Sequence, residues 1–109
     1  MKKSLILAFG SPDLDICQKI AVIEGFEVVN DGITYNLIKL PKNRLEAYNP
    51  LNNSEQWIDL VTKYRVSLCF VHATVSIVVN GVVLTKNFKT KHEMKRQALR
   101  LIIDSKKTI

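Results

Sequence analysis

Apolar positions along this chain switch between a spacing of two and a spacing of three to four, and each switch marks an element boundary. Ser4-Leu5-Ile6-Leu7-Ala8-Phe9 is an apolar run that reads as an opening strand. Ser11-Pro12-Asp13 then opens a helix. Ser is a good N-cap, Pro fits the first helical position, and Asp13 and Asp15 favour the positive end of the dipole. Ile16, Ile20 and Ile23 recur at helical spacing with Cys17 and Ala21 beside them, and Gly25 ends the helix as a left-handed cap. Phe26 to Val29 and Ile33 to Ile38 pair as strands across the turn Asn30-Asp31-Gly32. Residues 40–52 show no sustained period, with room for a short strand around Leu45 to Tyr48.

The second half is more regular. Asn53 and Gln56 are spaced as a capping box, and Trp57, Leu60, Val61 and Tyr64 form one apolar helical stripe. Val66 to Val71 is a strand. Ala73 to Val79 and Val82 to Phe88 flank Asn80-Gly81, a dipeptide that favours a two-residue hairpin turn. In that hairpin Val75, Ile77 and Val79 alternate with Thr74, Ser76 and Val78, which leaves one face only mildly polar. Thr90 and Glu93 form a second capping box, and Met94, Ala98, Leu101 and Ile102 are the buried stripe of the last helix. His92, Arg96 and Arg100 recur on another face.

With short connections throughout, these elements predict an α+β fold. It is an α/β sandwich of a single antiparallel sheet of about five strands with three packed helices. At 109 residues and 47% hydrophobic, the chain fits a single domain over 1–109, with residues 1–10 as an extra strand and 105–109 as a basic tail. It is too short for a TIM barrel or a full dinucleotide-binding fold. No run reaches the roughly 20 apolar residues of a membrane span. The start imitates a signal peptide, but its apolar run is short and the following residues make a poor cleavage site. The expected setting is the cytoplasm of a host cell. Cys17 and Cys69 each sit in an apolar run and read as small core hydrophobes.

Charge divides the chain more sharply than hydropathy does. Residues 1–85 hold eight basic and eight acidic residues, while residues 86–109 hold eight basic and two acidic. The whole excess of +6 therefore lies at one end and suggests an anionic partner there. Lys86, Lys89 and Lys91 surround the start of the last helix, where free N–H groups can hold a phosphate. Arg96 and Arg100 extend the basic set. The plainer reading is a solvated helix face that keeps the protein soluble.

Catalytic and metal signatures are missing. His72 and His92 have no nucleophile or carboxylate at a recognisable spacing. There is no CxxC, HExxH, Walker loop or dinucleotide fingerprint. The expectation is a non-enzyme without metal or cofactor. Nucleic acid is a weak, salt-sensitive candidate, because basic residues are present and Phe88 is the one aromatic near them in sequence.

Three segments are familiar in combination. Ser11 to Ala21 leads into Gly25-Phe26-Glu27-Val28. Tyr48-Asn49-Pro50-Leu51-Asn52-Asn53-Ser54-Glu55-Gln56-Trp57 leads into Tyr64-Arg65-Val66-Ser67-Leu68. Glu93-Met94-Lys95-Arg96-Gln97-Ala98-Leu99 opens the last helix. Together they resemble the small phage accessory proteins of the NinX-like, or phage ABA-sandwich, family. The chain departs from that pattern at residues 1–9, at Phe70 where relatives often carry Trp, and at Lys91-His92-Glu93. The resemblance implies a phage or prophage accessory protein with no established catalytic role, and together with the basic C-terminal end it suggests one that counteracts host defence by sequestering an anionic nucleotide-like ligand. The loop-and-helix unit carries two readings. In one, Pro50 stiffens the turn and Trp57 packs on the sheet. In the other, Tyr48, Asn49 and Trp57 line a pocket lip. Two alternatives stand beside sequestration: an inhibitor docking on a host protein through the apolar hairpin, and a non-specific nucleic-acid factor. A homo-oligomer is expected, and no membrane partner.

Overall fold

The computed structural model describes residues 12–29 and 36–108. The expected strand over residues 1–9, the Ser11 cap and the turn at Asn30-Asp31-Gly32 lie outside the described residues. The chain divides between Pro50 and Leu51 into two compact units.

In the first unit, helix α1 (Pro12–Ile23) is followed by β1 (Glu27–Val28), β2 (Asn36–Leu40) and β3 (Arg44–Tyr48). Asp13 and Asp15 sit in the first turn of α1. The helix ends in a Schellman arrangement. The Phe26 N–H donates to the Ala21 carbonyl and the Gly25 N–H to that of Val22, both at 3.0 Å. Gly25 takes the left-handed φ of +82° that this ending needs. β1, β2 and β3 form an antiparallel sheet in chain order. Ile16, Cys17, Ile20, Ala21, Ile38 and Tyr48 are buried.

The second unit holds α2 (Ser54–Lys63), β4 (Ser67–Cys69), β5 (Thr74–Val79), β6 (Val82–Asn87) and α3 (Lys91–Thr108). Asn53 caps α2, its side chain accepting the Gln56 N–H at 3.0 Å. β4, β5 and β6 form a second antiparallel sheet. Asn80 and Gly81 both have positive φ, as the turn between β5 and β6 requires. Helix α3 packs against β5 and β6. Val75, Ile77 and Val79 are buried, as are Met94, Ala98, Leu99, Leu101 and Ile102 of α3.

The α+β class and the three helices are present among the described residues, but the single sheet of about five strands is corrected to two sheets of three. Two causes account for it. Every described strand pairs only with a strand adjacent to it in the chain, and β3 and β4, with α2 between them in sequence, do not pair. In addition, Arg44–Tyr48 is a full strand paired along its length with β2, where the residue pattern predicts only a short strand around Leu45 to Tyr48 within an irregular stretch. Two smaller differences follow from local geometry. The strand expected to reach Val71 stops at Cys69. Ala73, at φ +52°, folds the chain back there, and its N–H donates to the Phe70 carbonyl at 3.3 Å. The residues expected as a basic tail continue α3 to Thr108. Ile103 and Ser105 are buried, and Lys106 and Lys107 complement the negative end of the helix.

Candidate basic cleft of the second unit

The charge asymmetry follows the division into units. Residues 1–50 carry six basic and six acidic residues, and residues 51–109 carry ten basic and four acidic. An anionic ligand would therefore be drawn to the second unit.

Helix α3 decides which cations can act together. Thr90 caps it, its hydroxyl accepting the Glu93 N–H at 3.0 Å. The Glu93 carboxylate reaches back and accepts the Lys89 N–H. A negative charge of the protein's own thus already stands at the positive end of α3, so an incoming anion would rely on side-chain cations there and not on the helix dipole.

The five expected anion-binding residues do not converge. On β6, Lys86 is opposite the buried Val75, so it lies on the sheet face that α3 covers. Its ammonium pairs with Asp104 at 3.3 Å. Asp104 lies about 20 Å along the helix axis from Lys91, so this pairing directs Lys86 away from the opening turn. Relative to Lys91, Arg96 is turned by about 140° around the helix and Arg100 by about 180°. Arg100 donates to the Gln97 side chain at 3.3 Å. Lys89 precedes the helix and is exposed.

Lys91 and Lys95, four residues apart, do share a face. They line an open cleft of about 350 Å³ with His92, Leu51 and Asn52. The Trp57 indole donates its N–H to the Lys95 carbonyl at 3.3 Å, and the Lys95 ammonium lies 5.9 Å from the centre of the Trp57 ring. Trp57 is thereby fixed to α3, and Lys95 is held by the indole. His92 and Lys95 were outside the expected anion set. The signal for them was the i, i+4 spacing of Lys91 and Lys95 in the same turn as His92.

Tyr48, Asn49 and Trp57 are each held inside their own unit. Tyr48 is buried and meets Phe26 edge to face, with ring centres 5.2 Å apart. The buried Cys17 thiol donates to the Asn49 side-chain oxygen at 3.6 Å. Neither cysteine is in a disulfide, and Cys69 is only half-buried where the sequence suggested core. No group of three or more His, Cys, Asp or Glu side chains suited to a metal ion occurs among the described residues. No helix there is long and apolar enough to cross a membrane.

Comparison of the chain with family models, curated proteins and solved structures finds no significant match.

Proposed function

We propose that this is a non-catalytic binding protein whose second unit holds a phosphate-bearing, nucleotide-like anion in the cleft opened by α3. The observation that supports this reading is the meeting of Lys91, His92 and Lys95 on one cleft with Leu51 and Asn52. The two ammonium groups supply charge that a phosphate can share, His92 and Asn52 bring polar side chains, and Leu51 offers an apolar wall. An open cleft of this size suits a small ligand. The resemblance to small phage accessory proteins supplies the setting, in which sequestering a nucleotide signal would blunt a host defence.

Calorimetric titration with pyrophosphate and with a nucleoside triphosphate tests the reading. Binding that is abolished in Lys91→Glu/Lys95→Gln and retained in Lys86→Gln is the expected result. Equal affinity in all three proteins would refute it.

A second reading is favoured by a separate observation. Val78 and Val83 are opposite each other on β5 and β6 and are 65% and 60% exposed. An apolar patch at a hairpin end suits a protein partner, including a second copy of the chain. A complex made there would survive high salt and be lost in Val83→Lys.

A further inference from the structure

The turn between β4 and β5 presents two of the most exposed large apolar side chains among the described residues, Phe70 at 69% and Val71 at 89%. The fold gives this turn a definite place. The Phe88 N–H donates to the Ala73 carbonyl at 3.0 Å, which ties the turn to the segment that enters α3. The rings of Phe70 and Phe88 then meet edge to face, with centres 6.4 Å apart. Phe88 is half-buried and braces a ring that is itself open to solvent. Lys89 follows immediately, and Lys91 comes three residues after Phe88, within about 11 Å of extended backbone. Lys95 is one helical turn further on. Along the chain, the residue that braces the open ring is therefore followed by three cations, Lys89, Lys91 and Lys95, the last two on one cleft.

We infer that Phe70 is a stacking platform for a base of single-stranded nucleic acid whose phosphates run over Lys89 and into the cleft at Lys91 and Lys95. This rests on the anion-binding reading of the cleft and names the ligand class. A single strand alternates flat apolar bases with phosphates at short intervals, and a ring beside a row of cations matches that alternation. Such a surface needs no hydrogen-bond code, so binding would be largely independent of sequence. Affinity would fall with salt, with a slope near −2 for about three neutralised phosphates.

The test uses the intact chain and fluorescence anisotropy with two labelled strands, an oligothymidylate and an abasic oligomer of equal length. The oligothymidylate should bind about tenfold more tightly, the difference being one stacked base. Phe70→Ala and Phe70→Leu should both remove that difference while leaving abasic binding unchanged. The exposed position of Phe70 lets both variants fold, and the leucine variant separates stacking from general apolar contact. Equal binding of the two strands by the native chain, or undiminished preference in Phe70→Leu, would overturn the inference. So would Phe70-dependent binding to phosphatidylserine vesicles without binding to either strand, which would assign the tip to a lipid surface. If pyrophosphate binds through Lys91 and Lys95 but neither strand does, this inference falls and the anion-binding reading stands. If nothing anionic binds, both fall.

Discussion

Gly25 and Arg65 occupy the same backbone position with different side chains. Each follows a helix, each has a left-handed φ, +82° and +55°, and each is part of the paired bonds of a Schellman ending. At Gly25 an added Cβ would meet nothing within 4 Å, so the cost of a side chain there is backbone strain alone. Gly25→Ala should destabilise the protein by about 1 kcal/mol, while Arg65→Gly should stabilise it by a similar amount. Urea denaturation midpoints check the pair, which should shift in opposite directions. Gly25 could be read as a cap from the sequence because glycine at a helix end announces the left-handed region. Arg65 could not, since nothing about an arginine indicates positive φ. The basic residues were legible as a set but not as a site. Which lysines converge depended on the ion pair of Lys86 with Asp104 and on the angular positions of Arg96 and Arg100 around α3.

Among the elements, α3 was the easiest to foresee and β3 the hardest. Thr90, Glu93 and the stripe from Met94 to Ile102 have the spacing of a capped amphipathic helix, and those apolar positions are buried. In β3 every residue before Tyr48 is exposed, so no apolar alternation marks Arg44–Tyr48 as a strand. Its existence rests on hairpin pairing with β2 across Pro41–Asn43, which apolar alternation does not announce. Thr90→Ala removes the α3 cap and should cost about 1 kcal/mol. Leu99→Ala opens a cavity where the side chain is fully buried and should cost about 2–5 kcal/mol. Thermal or chemical unfolding reads both, and a larger loss for Thr90→Ala than for Leu99→Ala would contradict the packing described for α3.

At the scale of the whole molecule, the separation of charge is the feature with the widest consequence. The first unit is balanced and the second carries the entire excess of +6, so association with any polyanion should depend on the second unit and weaken as salt is added. Charge alone does not make a ligand site. The cleft at α3 does more, because it combines two lysines on one helical face with a histidine and an apolar wall. Trp57 offers a direct report on it. It is the one tryptophan of the chain, and its ring lies against Lys95. Titration of the native protein with pyrophosphate at low salt, followed by Trp57 fluorescence, decides whether the cleft takes an anion. A saturable change that is lost in Lys91→Glu and retained in Lys86→Gln is the predicted result. A flat titration, or a change that survives in Lys91→Glu, would contradict the assignment of this cleft as an anion site.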